Sequence, residues 1–113
     1  MPVSKVDTNW KLRRKFSRYQ VEGHFSLTTQ KGEVLKGWLR DIGEGGFGGL
    51  LTASLAIEQQ VAVELAIKDA PSLHIHASVR WYDGVNFGFE FSGLSAQQRE
   101  QIVRICQNLT MVD

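Results

Sequence analysis

An all-β fold is what this sequence predicts: a small antiparallel barrel of about six strands with one C-terminal α-helix. Three observations carry that prediction. Apolar and polar residues alternate with a period of two through most of the chain from Val21 onward, glycine-bearing or polar turns separate these segments, and the period becomes helical only after Ser95. Successive side chains of a strand point to opposite faces, whereas those of a helix return every 3.6 residues, so the change of period marks a change of structure. Closing the strands on one another, or covering them with the helix, removes exposed sheet edges.

The first alternating segment sets Val21, Gly23, Phe25 and Leu27 against Glu22, His24, Ser26 and Thr28. Gln30-Lys31-Gly32 then offers a tight connection into Val34 to Ile42, which predicts a hairpin. Gly45, Gly46, Gly48 and Gly49 follow and read as easing a sharp bend or bulge. Val61, Val63, Leu65 and Ile67 form one face of the next strand, with Ala62, Glu64 and Ala66 opposite. A turn at Asp69, Ala70 and Pro71 leads to Leu73, Ile75, Ala77, Val79 and Trp81, and this alternation places Trp81 in the core. Asp83-Gly84 signals a hairpin, after which Val85, Phe87, Phe89 and Phe91 are predicted to face inward. Ser95 and Gln98 have capping-box spacing, and Ile102, Ile105, Cys106 and Leu109 make one apolar stripe on the helix that follows.

At 113 residues the chain suits one compact domain that buries a modest core without metal or disulfide staples. The expected division is a flexible N-terminal segment, residues 1–20, followed by barrel and helix, residues 21–113. Thirteen Lys and Arg against 12 Asp and Glu argue against a surface that binds polyanions globally. The basic charge is nonetheless concentrated, because Lys11, Arg13, Arg14, Lys15 and Arg18 stand together with no acid among them. The single cysteine, Cys106, excludes an internal disulfide and suits a reducing compartment. No apolar run reaches membrane-spanning length and residues 1–9 lack the apolar stretch of a secretory signal, so the expectation is no membrane insertion and a cytoplasmic location.

Arg14 and Arg18, four residues apart, can aim two guanidinium groups at one ligand. One suits a phosphate and the other the O6 and N7 acceptors of guanine, a forked geometry that lysine cannot reproduce. Asp41, at the end of the second strand, offers a carboxylate to the ring N–H and amino group of the same base. Gly45 and Gly46 permit positive φ and close backbone approach, which suits an anion. These features describe a pocket for an anionic guanine nucleotide. The blander readings are a solvated basic arm and an Asx-type turn at Asp41.

The order of these features resembles the PilZ domain, a bacterial module that binds cyclic di-GMP. Arg14-Lys15-Phe16-Ser17-Arg18 matches its RxxxR motif, and Asp41-Ile42-Gly43-Glu44-Gly45-Gly46 matches its [D/N]xSxxG motif at Asp41 and Gly46. Val79-Arg80-Trp81 and Gly88-Phe89-Glu90-Phe91 match its closing strands, so the likeness runs from about Leu12 to Leu109. The resemblance implies a PilZ-like barrel whose ligand contacts include Arg13, Arg14, Arg18, Asp41, Gly43 and Gly46. It implies cyclic di-GMP as ligand, no cofactor besides, and a receptor or adaptor role in which ordering of the arginine arm engages a downstream protein. Gly43 departs from the motif serine, and one lost hydrogen bond costs about 0.5–1.5 kcal/mol, or about twofold to tenfold in affinity. On that ground Gly43→Ser is expected to tighten binding.

Two other readings stay open: a protein-interaction module of the same fold that has weakened or lost nucleotide binding, and a small barrel that binds single-stranded nucleic acid. The net charge of +1 makes nucleic acid the weaker of the two. His74 and His76 share one strand face without an evident third metal ligand, so they read as solvent-facing positions. Cys106 reads as a buried thiol, Trp38 and Trp81 as fillers or base-stacking residues with the core favoured for Trp81, and Trp10 as a residue that folds over the ligand or docks to a partner. No nucleophile, base and oxyanion donors assemble, and no enzyme is predicted.

Overall fold

A computed structural model describes residues 16–111. Its strands are β1 (Tyr19–Gln20), β2 (Gly23–Thr29), β3 (Val34–Ile42), β4 (Gly46–Leu50), β5 (Gln60–Ile67), β6 (Leu73–Asp83), β7 (Asn86–Ser92) and β8 (Thr110–Met111), with α1 (Ala96–Gln107) between the last two. Neighbours run β2-β5-β6-β7-β4-β3, and β3 returns to β2, so six antiparallel strands close into a barrel. This is the predicted all-β barrel with its C-terminal helix. β1 pairs with the end of β3 through Tyr19↔Ile42 and Gln20↔Asp41, and β8 adds to the far side of β1. The pairing of Tyr19 and Gln20 ties the chain before β2 to the barrel at Asp41 and Ile42.

The inward positions of the alternating segments fill the interior. Phe25, Phe47, Phe87 and Phe89 are fully buried, with Phe47 and Phe89 stacked at 4.8 Å and Phe25 edge-on to Phe47 at 5.2 Å between centroids. Such ring pairs add about 0.5–1.5 kcal/mol each beyond the area they bury. The glycine-rich stretch read as easing a bend or bulge forms strand β4, a full member of the barrel wall, and its Gly48 and Gly49 lie opposite the bulge in β3. Its inward Gly49, together with Gly37 of β3, leaves the space that the Phe25 ring occupies, which is what strand glycines do where a ring approaches the backbone.

Two β-bulges break the alternation. One lies at Arg40, between the pairs Leu39↔Gly49 and Asp41↔Gly48, and the other at Arg80, between Val79↔Phe89 and Trp81↔Gly88. An extra residue on one strand flips every side chain beyond it. Trp81 is therefore not in the core as predicted; it lies half-buried on the outer wall, and Tyr82 turns in against Phe87 instead. Val85 also fails to face inward, being 49% exposed beside Gly84, whose φ of +62° makes the tight hairpin turn. Phe87, Phe89 and Phe91 do face inward.

Ser95 caps α1 as the spacing predicts: the Gln98 N–H donates to Ser95 Oγ at 3.0 Å, and the Ser95 N–H donates to Gln98 Oε1 at 2.9 Å. Ile102 and Cys106 join the barrel core, and Gln98 Nε2 donates to the His74 carbonyl, fastening the helix to the start of β6. Among the described residues no helix is long and apolar enough to cross a membrane.

Candidate functional site

The bulge at Arg40 does more than bend β3. Leu39 and Ile42 stay buried while Arg40 and Asp41 between them are both partly exposed, so two consecutive polar side chains emerge on the outer wall. The β1 pairing Gln20↔Asp41 carries the preceding residues past the same point. Arg18 Nη1 there donates to Asp41 Oδ1 at 2.8 Å, and Arg40 Nε donates to Asp41 Oδ2 at 2.9 Å. Asp41 thus sits between two guanidiniums. The Arg18 and Asp41 side chains are only 12% and 14% exposed, whereas Arg40 is 38% exposed. Charge-assisted bonds strengthen as water is excluded, so the Arg18 contact is the firmer of the two.

The following turn is closed by the Gly43 N–H donating to the Gly46 carbonyl at 2.9 Å, and the Phe91 N–H donates to the Gly45 carbonyl at 2.9 Å. None of Gly43, Gly45 and Gly46 adopts positive φ, contrary to the freedom read into the latter two. Close approach is what these residues supply. A Cβ on Gly43 would strike the Ser17 carbonyl oxygen and come within 3.1 Å of Arg18 Cδ, and one on Gly45 would lie 2.8 Å from Phe16 Cδ2. Phe16, Ser17 and Arg18 consequently lie directly across the turn.

On the wall beside Asp41, a nearly side-chain-free stripe runs through Gly48 and Gly88, which pair with each other. The Trp81 indole lies against Gly88, and the Arg40 guanidinium lies against Gly48 with its Cζ 5.7 Å from the Trp81 ring centroid. Arg40 Nη1 also donates to Asn86 Oδ1 at 2.8 Å. The arrangement gathers a carboxylate, guanidiniums and an indole on one side of the wall, groups of the kind that hold a flat, polar-edged, anionic ligand.

Of the residues predicted for the site, Arg18, Asp41 and Gly43 come together, and Gly46 closes the turn. Arg13 and Arg14 lie outside the described residues, as does Trp10. Sequence reasoning missed Arg40, Gly48, Gly88 and Asn86 as neighbours of Asp41, and it favoured the core over base stacking for Trp81. Trp81 and Gly88 stand in the two closing-strand motifs, but their juxtaposition needs the bulge at Arg80, which no residue pattern announces. Cys106 is buried, and burial first and Glu44 second push its thiol up to about 11 while Arg18 pulls the other way. His74 and His76 are exposed on β6, and among the described residues no three His, Cys, Asp or Glu gather as metal ligands. Trp38, 67% exposed on β3, meets His24 edge-on. A cleft of about 670 Å³ between the β5–β6 turn and the C-terminal half of α1 contains none of Arg18, Arg40, Asp41 or Trp81.

Comparison with known proteins places this geometry in context. The sequence profile of the PilZ domain matches residues 12–108. The fold is similar to the PilZ domain of YcgR from Escherichia coli solved with c-di-GMP, at 21% identity and a TM-score of 0.72, covering 86% of this chain and 91% of that one. It is similar to the whole of Escherichia coli YcgR in complex with c-di-GMP, at 24% identity and a TM-score of 0.73, covering 82% of this chain and 44% of that one. The K. pneumonia MrkH–c-di-GMP complex gives 14% identity and a TM-score of 0.73, covering 85% and 51%. The chain thus spans about half the length of the latter two proteins. No protein with a curated description matches the sequence.

Proposed function

The chain belongs to the PilZ domain family, and from that premise we propose that it is a receptor domain for cyclic di-GMP. The observation that carries the proposal is Arg18 and Asp41 facing one another at 2.8 Å on the outer wall, beside a half-exposed indole. Guanine presents a ring N–H and an amino group that a carboxylate accepts, and O6 and N7 acceptors that an arginine fork donates to. Asp41 takes the first edge and Arg18 the second or an adjoining phosphate, while Trp81 lends its face to the base. Arg13 and Arg14 neutralise the phosphates, and ordering of the arginine arm by the ligand presents a new surface to a downstream protein. The gathered groups recognise and neutralise; they make a binding switch of the cytoplasm, not a catalyst.

Isothermal titration calorimetry of the full chain with cyclic di-GMP, with linear dinucleotide and GTP as controls, tests the proposal. The expected result is saturable binding selective for the cyclic ligand, in about the micromolar range because Gly43 lacks the serine hydroxyl. An absence of saturation at high micromolar ligand overturns it. That outcome favours the second reading, an interaction module without a nucleotide, for which Gly43 is the supporting observation.

A further inference from the structure

Arg40 occupies the Asp41 oxygen that the proposed site offers to a guanine edge. We propose that it is an intramolecular occupant of the base seat, which the nucleotide has to displace, and that it thereby sets the affinity of the site. The inference rests on the receptor reading above and goes beyond it by naming what the ligand competes with.

A guanine seated here brings two things: a planar body for the Trp81 face and N–H donors for the Asp41 carboxylate. The Arg40 guanidinium brings the same two. It is planar and delocalised, it lies 5.7 Å from the indole centroid, and its Nε donates to Asp41 Oδ2 at 2.9 Å. Guanine's paired donors span both carboxylate oxygens; Oδ1 also accepts from Arg18, and Oδ2 is where the base meets Arg40. Gly48 makes the occupancy possible, because a Cβ there would strike Arg40 Nη2. The bond from Arg40 Nη1 to Asn86 Oδ1, at 2.8 Å, holds the guanidinium over that glycine.

Departure is affordable for this side chain and not for its neighbour. Arg40 is 38% exposed against 12% for Arg18, and ion pairs open to water are weak and readily exchanged. With Arg40 seated for most of the time, the competent fraction falls and the apparent affinity falls with it, by about threefold to tenfold for a seat open between about one third and one tenth of the time.

The sign of the effect makes the test sharp. Arg40→Gln removes a positive charge from the rim of an anion site, which ordinarily weakens an anionic ligand. Displacement predicts the opposite: cyclic di-GMP binds Arg40→Gln about threefold to tenfold more tightly than wild type by calorimetry. Asn86→Ala loosens the anchor without changing any charge, and its affinity rises by about twofold. Thermal melts confirm that each variant is folded, and Asn86→Ala decides the matter should Arg40→Gln not fold. Wild type that binds while both variants bind equally or more weakly overturns this inference and leaves the receptor reading intact. Absence of binding by wild type and variants alike overturns the receptor reading, and this inference with it.

Discussion

Replacing Gly43 by the serine of the family motif sets two effects against each other, and the structure decides between them. The hydroxyl offers the ligand a hydrogen bond worth about 0.5–1.5 kcal/mol. Its Cβ, however, meets the Ser17 carbonyl oxygen and stands 3.1 Å from Arg18 Cδ. Carbon and oxygen come no closer than about 3.3–3.6 Å even in favourable contacts, so the arm backbone must retreat by about 1 Å. Arg18 follows Ser17 directly, and lengthening its 2.8 Å bond to Asp41 by that amount takes it out of hydrogen-bond range. Crowding of this kind costs about 1–3 kcal/mol, and each kcal/mol lowers the melting temperature of a domain of this size by about 4 °C. Scanning calorimetry of ligand-free Gly43→Ser is therefore expected to show a fall of about 4–12 °C. Gly43→Ala, which brings the Cβ without the hydroxyl, falls as far. Titration then finds cyclic di-GMP affinity no better than about twofold above wild type, since the displaced arm offsets the added bond. Unchanged melting together with tenfold tighter binding would show that the arm does not pack on Gly43 as described.

Asp41→Asn removes the charge that both guanidiniums share and the acceptor pair for the guanine edge; titration should show about tenfold to a hundredfold weaker binding, and wild-type affinity would remove Asp41 from the site. Cys106, with its thiol pushed up to about 11 by burial and by Glu44, is expected to ignore thiol reagents near about pH 8 until denaturant is added, and rapid labelling of the native protein would contradict its burial. Because its folded value is raised, the stability it contributes is intact below the ordinary value of 9.0 and is lost as pH rises through about 11. Cys106→Ala should flatten that part of a stability–pH curve measured by denaturant titration.

The barrel was legible because its information is local. Alternation in β2 and β5, the inward Phe87, Phe89 and Phe91 of β7, a hairpin turn at Gly84 and the Ser95–Gln98 capping box each act over a few residues, and each was legible. β4 was less legible, since Gly46, Gly48 and Gly49 lack the side chains by which a strand declares its faces; their reason is the rings and backbone that approach them from other strands. Trp81 went astray for a related reason: period-two reading holds only while pairing is regular, and the bulge at Arg80 reverses it.

By itself the sequence determined that β2, β3, β5, β6, β7 and the helix form, that Phe25, Phe87, Phe89 and Phe91 face the centre, and that a basic arm and an acidic turn belong to one chain. Only the tertiary structure decided that Arg40 and Trp81 share the wall with Asp41, and that Gly43 makes room for the arm. Bulges and cross-strand neighbours are settled by where the closed barrel lets backbones and side chains meet, and residues distant along the chain carry no mark of that meeting until the sheet has closed.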